Sequence, residues 1–162
     1  MNYNFNIRFA KVEDIPSILG FIKELATYEN LLDQVVATEE ILKEWLFNKK
    51  SAEVLIGEFN GEPVGYALFF HSFSTFLGRA GIYLEDLYIS PNQRGKGFGK
   101  KLLIYLANLT LERGCGRLEW SCLDWNEPSI KFYKSLGANP LEDWTMYRVD
   151  GDALKKLAIN NM

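Results

Sequence analysis

Apolar residues recur along the chain at two spacings, which predict alternating strands and helices. Repeats at helical spacing predict helices over residues 11–29, 38–47, 99–114, 126–138 and 151–159. Short runs that alternate or stay apolar predict strands over residues 3–10, 52–59, 63–70, 80–90, 116–123 and 144–150. Asn60-Gly61 between two of these runs predicts a tight hairpin. The order of elements predicts a mixed α/β or α+β fold, in which helices cover the faces of a sheet.

The whole chain is predicted to be one domain, because its 162 residues contain no linker, repeat or low-complexity tract. A hydrophobic content of 48% is ample for one core. No apolar run approaches the ~18 residues of a membrane span, and residues 1–10 lack the pattern of a signal peptide. We therefore expect a single cytoplasmic domain over residues 1–162 that does not bind membranes.

Charge and cysteine spacing narrow the classes of function. A net charge of −3 argues against nucleic acid as a partner, since binding a phosphate backbone needs a broad basic face. Cys115 and Cys122 lie in one predicted strand, about 23 Å apart if extended, which is too far for a disulfide. Their spacing is also not that of a metal site, so no metal is expected.

Positive charge is concentrated in one segment, SPNQRGKGFGKKLL (residues 90–103), which follows a predicted strand and opens a predicted helix. Unpaired backbone N–H groups and the positive end of the helix meet there, which favours an anion. The glycines permit positive φ and leave no Cβ to hold a pyrophosphate away. The P-loop string is absent, and the dinucleotide fingerprint would need a glycine in place of Lys100. The alternative is a glycine-rich loop that only caps the helix.

The motif Arg94-x-x-Gly97-x-Gly99, at the start of a long helix, resembles the acetyl-CoA-binding motif of the GNAT superfamily of N-acetyltransferases. A closer resemblance, to the diamine (spermidine/spermine N1-) acetyltransferases, rests on IKELATYE (residues 22–29), YLEDLYI (83–89), RGKGFG (94–99) and WNEPSIKFYKSLGA (125–138). The resemblance implies the acyl-CoA N-acyltransferase fold, with a mixed, mostly antiparallel central sheet flanked by helices. It also implies an enzyme that transfers an acetyl group from acetyl-CoA to a primary amine by direct attack, without a metal.

The resemblance further implies where acetyl-CoA binds. The pyrophosphate is expected on the backbone amides of the glycine segment: Arg94, Gly95, Lys96, Gly97, Phe98 and Gly99. The pantetheine arm is expected along the preceding strand, at Leu87, Tyr88 and Ile89, with further cofactor contacts from Asn126 and Ser129. The basic side chains of the segment are expected to add attraction for the phosphates.

Two catalytic residues match the family's motifs. Tyr133 matches the general acid, and it shares one face of the predicted helix with Asn126 and Ser129. Glu85 matches the base, which acts directly or through a water. Alternation puts Glu85 and Asp86 on opposite faces of the strand, so only one should face the cleft unless a bulge intervenes, and we expect it to be Glu85. The plainer alternatives are a packed tyrosine with a satisfied hydroxyl and a half-exposed strand carboxylate.

The substrate is expected to be a small cationic amine: a diamine, a polyamine, or a lysine-like amine such as thialysine. Tyr28 and Glu29 match the family's substrate-contacting pair, and Glu85 also suits a cation. Three other carboxylates are weaker candidates: Asp124, Glu119 and Glu142. Two alternatives stay open, a catalytically silent acyl-CoA-binding protein and an acetyltransferase of a protein amine. Family members commonly pair as homodimers, so a homodimer is also expected.

Overall fold

The computed structural model describes residues 4–159 and contains five strands, which form one sheet in chain order. The strands are β1 (Phe5–Phe9), β2 (Glu53–Phe59), β3 (Glu62–Ser74), β4 (Arg79–Ile89) and β5 (Leu118–Trp120). The helices are α1 (Ile15–Tyr28), α2 (Glu39–Lys43), α3 (Phe98–Glu112), α4 (Glu127–Ser135) and α5 (Gly151–Ile159). Neighbouring strands run antiparallel except β4 and β5, which are parallel. The predicted fold class, a mixed and mostly antiparallel sheet with helices, is confirmed.

The turn between β2 and β3 has the conformation that its sequence predicts. Asn60 and Gly61 have φ angles of 53° and 84°, both in the left-handed region. A two-residue hairpin turn that follows the twist of its strands needs positive φ at both central positions, which Asn and Gly adopt most readily. The turn places Phe59 opposite Glu62 and starts the pairing of the two strands.

One face of the sheet packs against α1. The buried residues of this helix, Ile15, Ile18 and Phe21, form one apolar cluster with Tyr66 of β3 and Tyr88 of β4. The Phe21 ring is stacked on Tyr66, with 5.7 Å between the ring centroids. Because the aromatic contacts join the helix to both central strands, the C-terminal end of α1 is fixed beside β4.

The opposite face of the sheet is covered by α3. Its buried residues are Phe98, Leu102, Leu103, Leu106, Leu109 and Thr110, and helical spacing predicts all of them except Phe98. The Phe98 ring is stacked on Phe5 of β1 at 4.1 Å between centroids and tilted against Phe59 of β2 at 5.4 Å. The first residue of α3 is therefore anchored in the core, and the loop that precedes it is held against the sheet.

The described chain divides after Ser121 into two compact units. The first contains the sheet with α1, α2 and α3, and the second contains α4 and α5. The single domain expected over residues 1–162 stays a prediction. Tyr3, which was included in the first predicted strand, lies outside the described residues.

The strand predicted over residues 144–150 is wrong, because this segment has no regular secondary structure. A strand needs a neighbouring strand for its backbone N–H and C=O groups. Within residues 4–159, no strand of the sheet pairs with this segment. An apolar, β-favouring composition is therefore not sufficient here, since residues 4–159 supply no partner strand.

Gly65 in β3 lies against the backbone of β4, and we expect that it does not tolerate a side chain. A Cβ at this position would clash with the Tyr88 carbonyl oxygen and would lie 3.1 Å from the Ile89 Cα. Because backbone atoms cannot rotate away, Gly65→Ala should lower the free energy of unfolding by about 1–3 kcal/mol. Urea denaturation followed by circular dichroism measures this change.

The matched control is Gly20→Ala on the exposed side of α1, where an added Cβ would meet nothing within 4 Å. Alanine favours the helical backbone there, so the free energy of unfolding should rise by about 0.5–1 kcal/mol. A Gly65→Ala variant as stable as Gly20→Ala would contradict the close approach of β3 and β4.

Candidate active site

A β-bulge interrupts β4 in the YLED segment. Asp86 pairs with Leu68 of β3, and the next pair joins Leu84 to Phe69, which leaves Glu85 as the extra residue. An extra residue breaks the alternation of side chains, so the two adjacent carboxylates are not separated onto opposite faces. Both charges act on the same buried tyrosine of β3. The expectation that only one of the two faces the cleft made an exception for a bulge, and the structure contains that bulge. Asp86 is partly buried and Glu85 is exposed.

Three carboxylates surround the hydroxyl of Tyr66, which is fully buried. This hydroxyl donates a hydrogen bond to Asp86 Oδ2 at 2.5 Å. Burial raises the pKa of the Asp86 carboxyl, and the hydrogen bond from Tyr66 opposes this rise only in part. Burial, followed by the charge of Asp86, also raises the pKa of Glu29 at the end of α1. This concentration of negative charge suits a cationic amine.

The edge of β4 that faces β5 is open beyond the bulge. Within residues 4–159, β5 pairs with residues 82–84 of β4 and with no later residue of that strand. Residues 87–89, which were predicted to contact the pantetheine arm, lie beyond the last of these pairs. The Tyr88 side chain turns towards α1, where its hydroxyl donates to Glu24 Oε2 at 2.7 Å. Burial and the neighbouring Glu24 raise the pKa of Tyr88 to about 12. A ligand along this edge therefore meets the backbone of the strand.

The glycine segment forms an open loop between β4 and α3. Gly97 is the N-cap of α3, and Gly95 and Gly97 have φ angles of 76° and 80°, in the left-handed region that favours glycine. A Cβ at either position would meet no other atom within 4 Å, so it would fill only the space in front of the loop. Backbone N–H groups at the start of a helix bind phosphate groups in such spaces. The loop therefore has the backbone conformation and the open space that an anion such as a phosphate group needs.

Arg94 connects this loop to the end of α1. Its Nε donates a hydrogen bond to the Ile89 carbonyl oxygen at 2.8 Å. Its guanidinium carbon lies 5.3 Å from the ring centroids of both Tyr28 and Tyr88, within the range of cation–π contact. Tyr28, predicted to contact the substrate, and the loop predicted to hold the cofactor are thus joined by one side chain.

The side chains of Lys96 and Phe98, also in this loop segment, contact the protein. Lys96 Nζ donates to Gln93 Oε1 at 2.6 Å, and the Phe98 side chain is buried in the core. A Cβ at Gly99 would lie 3.9 Å from Ile89 Cγ1, which is an ordinary contact. We expect this segment to bind the pyrophosphate through its backbone N–H groups, and these side-chain positions are compatible with that role.

Tyr133 lies on α4, in the second unit. The helix begins after Asn126, whose side-chain oxygen accepts a hydrogen bond from the Ser129 N–H at 3.4 Å, and it ends before Gly137, where φ is 87°. Asn126 is buried, and Ser129 and Tyr133 are partly buried. The Tyr133 ring packs against Phe132 at 5.5 Å between centroids. Asn126 thus caps the helix that carries the predicted acid.

The weaker carboxylate candidates gain no support from the structure. Glu119 of β5 forms an ion pair with Arg117 at 2.7 Å, and Asp124 and Glu142 are exposed. Asp86 is the residue that sequence reasoning missed. Its only signal was its place beside Glu85 in YLED, since a bulge leaves no mark of its own in these letters.

Two further observations concern the part of the chain that the structure describes. Its His, Cys, Asp and Glu side chains form no group of three or more that could hold a metal ion. Its helices include none that is both long enough and apolar enough to cross a bilayer.

Similarity to known proteins identifies the family. A model of the Acetyltransferase (GNAT) family matches residues 20–138, which is more than half of the chain. The chain belongs to this family. Thialysine N-epsilon-acetyltransferase of Bos taurus is 42% identical over 166 residues, which cover 94% of this chain and 96% of that protein. Spermidine/spermine N(1)-acetyltransferase-like protein 1 of Homo sapiens is 32% identical over 98% of this chain and 24% of that protein.

Solved structures agree with this assignment to the GNAT family. An integron cassette protein from the mobile metagenome of V. cholerae superposes with a TM-score of 0.80 and 27% identity, covering 96% of this chain and 98% of that chain. The expected family, fold and enzyme class, an N-acetyltransferase acting on amines, are confirmed. GNAT acetyltransferases use acetyl-CoA as the acetyl donor.

Proposed function

We propose that this GNAT acetyltransferase transfers the acetyl group of acetyl-CoA to the side-chain amine of a lysine-like small molecule such as thialysine. The observation that carries the proposal is the similarity to thialysine N-epsilon-acetyltransferase over nearly the whole chain. The carboxylates of Glu29, Glu85 and Asp86 support a cationic acceptor. Diamines and polyamines are the second candidate class, supported by the similarity to the spermidine/spermine N(1)-acetyltransferase-like protein.

Acetyl-CoA is proposed to bind through the backbone of the first unit. The amides of residues 94–99 hold the pyrophosphate, and the open edge at residues 87–89 accepts the pantetheine arm. The open space in front of Gly95 and Gly97 supports the pyrophosphate contact. The pairing of β4 with β5 ends at Leu84, which supports the pantetheine contact. Asn126 and Ser129 are proposed as further contacts, which rest on the family motif alone.

Glu85 is proposed as the base. An amine attacks a thioester only when it is neutral, yet an unperturbed primary amine has a pKa of about 10 and is protonated at pH 7. Glu85 accepts this proton, directly or through a water, and a backbone N–H near Leu87 stabilises the negative charge on the carbonyl oxygen. The bulge supports this role, because it brings the Glu85 charge to the cluster around Tyr66.

Tyr133 is proposed as the acid, and Tyr28 and Glu29 as substrate contacts. Tyr133 gives its proton to the sulfur as the thioester bond breaks, so coenzyme A leaves as a thiol. Tyr28 and Glu29 at the end of α1 bind the amine, and the link from Tyr28 through Arg94 to the glycine loop supports this placement.

The enzyme is further proposed to be a cytoplasmic homodimer of one-domain subunits, without nucleic-acid or membrane partners. Residues 144–150 support the dimer, because Trp144 and Tyr147 are 78% and 91% exposed in the single chain. Large exposed aromatic side chains of this kind are enriched at protein–protein interfaces. The free cysteines, Cys115 and Cys122, are compatible with a reducing compartment.

A panel of amines tests the proposed function. Purified protein is mixed with acetyl-CoA and thialysine, lysine, ornithine, putrescine or spermidine, and the release of free thiol is followed. We expect the highest kcat/KM with thialysine, and no release above background without an amine. A higher kcat/KM with spermidine would overturn the lysine-like preference, and the absence of release with every amine would overturn the transferase itself.

A further inference from the structure

Tyr66 has an unusual position for a tyrosine with no role in the family motifs. Its side chain is fully buried, and its ring is held by stacking on Phe21 of α1. Its hydroxyl is the one polar atom of the ring, and it points along the sheet to Asp86 Oδ2 at 2.5 Å. Because the ring is fixed from α1, the hydroxyl is held in one orientation.

Asp86 receives this hydrogen bond at the bulge of β4. The Tyr66 hydroxyl occupies one carboxylate oxygen, Oδ2, and a carboxylate has a second oxygen that can accept further hydrogen bonds. Glu85, the proposed base, is the adjacent residue, and Glu29, a proposed substrate contact, is close enough for the Asp86 charge to act on it. Asp86 is therefore near two groups that the proposed reaction uses.

We propose that Tyr66 is a positioning residue, whose hydroxyl holds the Asp86 carboxylate in the orientation and the ionised form in which Asp86 binds the ammonium group of the amine substrate. This inference rests on the proposed function and adds two residues to it. A phenol donates a stronger hydrogen bond to a carboxylate than to a carboxylic acid, so the contact favours ionised Asp86. Without an oriented hydrogen-bond donor, a partly buried carboxylate takes up a proton more readily and no longer attracts a cation.

The groups around Asp86 determine whether its pKa is raised or lowered. Burial raises its pKa, and the hydrogen bond from Tyr66 of β3 lowers it. The other groups facing the Tyr66–Asp86 pair are Glu29 at the end of α1 and Glu85 on the same strand, both of which are acidic. Further along the same face lie Tyr88 with Glu24, and Arg94 over the Tyr88 ring. Removing the hydroxyl takes away the interaction that lowers the Asp86 pKa, so the pKa must rise further.

Tyr66→Phe tests the inference, because it removes one oxygen from a fully buried ring and leaves the ring volume nearly unchanged. We expect the KM for thialysine to rise about 10-fold, as the loss of a hydrogen bond to a charged group predicts, while the KM for acetyl-CoA stays the same. The acid-side fall of kcat/KM should move to higher pH. If Tyr66 had a purely structural role, Tyr66→Phe would lower the stability of the protein. It would not raise the KM for thialysine relative to the KM for acetyl-CoA, and it would not move the pH profile.

Two single variants and one double variant serve as comparisons. Tyr83→Phe is the matched control, since Tyr83 lies on β4, the strand of Asp86, and its hydroxyl hydrogen-bonds Ser121 at 2.7 Å instead of a carboxylate. It should leave both KM values and the pH profile unchanged. Asp86→Asn should raise the KM for thialysine at least as much as Tyr66→Phe does, and the double variant should be no worse than Asp86→Asn alone, because both act through one contact.

Carboxyl ¹³C NMR separates the failure of this inference from the failure of the proposed function. The Asp86 signal, assigned with Asp86→Asn, should shift when thialysine is added and should titrate at higher pH in Tyr66→Phe. If thialysine shifts the signal but no amine is acetylated, the proposed transferase activity is overturned, while the binding of the amine by Asp86 stands. If wild type acetylates thialysine but Tyr66→Phe keeps its KM and pH profile, or Tyr83→Phe changes them equally, the inference is overturned and the function stands.

Discussion

Tyr133→Phe is expected to lower kcat by about 10²–10⁴-fold while the Kd of coenzyme A changes little. The sulfur of coenzyme A leaves as a thiolate unless a group protonates it while the thioester bond breaks. With unperturbed values near 8.5 for a thiol and 10 for a tyrosine, this proton transfer is uphill by about 2 kcal/mol, which a positioned donor can still accomplish. Because the lost interaction belongs to the transition state, kcat and kcat/KM should fall together. Free-thiol release at saturating thialysine measures the effect.

The control for this variant is Tyr147→Phe, which removes the hydroxyl of an exposed tyrosine from the same unit. Its kcat should equal that of wild type. If Tyr133→Phe also keeps the wild-type kcat, Tyr133 is a packing residue, a role that its contact with the Phe132 ring would then explain. Equal losses in both variants would indicate a general effect on the second unit instead of a missing acid.

The fold could be predicted from the sequence where short-range patterns determine the structure. Leu102, Leu103 and Leu106 are buried on α3 as helical spacing requires. Asn60 and Gly61 adopt the hairpin that their backbone preferences favour. In each case the deciding interactions lie within a few residues, so the local sequence carries the information. Phe98 was missed in the core of α3 because it lies inside the glycine segment, where its neighbours suggested a ligand-binding loop.

The features that could not be predicted depend on contacts between distant segments. The bulge at Glu85 arises from the pairing of β4 with β3, and the Tyr66–Asp86 hydrogen bond joins residues 20 positions apart. The segment 144–150 has the composition of a strand, but whether it forms one depends on a partner strand. Sequence patterns therefore located the glycine loop and the helix of Tyr133, whereas the arrangement of carboxylates at β4 required coordinates.

Gly97→Ala is expected to raise the Kd of coenzyme A by about 10–100-fold, as the loss of one or two hydrogen bonds to a charged phosphate predicts. Gly97 has φ of 80° at the N-cap of α3, and a Cβ there would point into open space in front of the loop. The methyl group would occupy the position that a phosphate oxygen needs to reach the backbone N–H groups. Isothermal titration calorimetry with coenzyme A measures the change, and activity at saturating acetyl-CoA should recover in part.

The left-handed backbone at Gly97 also makes alanine unfavourable by about 1–2 kcal/mol regardless of any ligand, so the control must have the same cost. Gly114 supplies it: this residue follows the other end of α3, has φ of 68°, and an added Cβ would again meet nothing within 4 Å. Gly114→Ala and Gly97→Ala should therefore lose similar thermal stability, while only Gly97→Ala loses affinity for coenzyme A.

If both variants bind coenzyme A as wild type does, the glycines of the loop serve only the backbone conformation at the start of the helix, and the pyrophosphate must bind elsewhere. If both lose affinity equally, the loss reflects strain in α3 and not a blocked phosphate site.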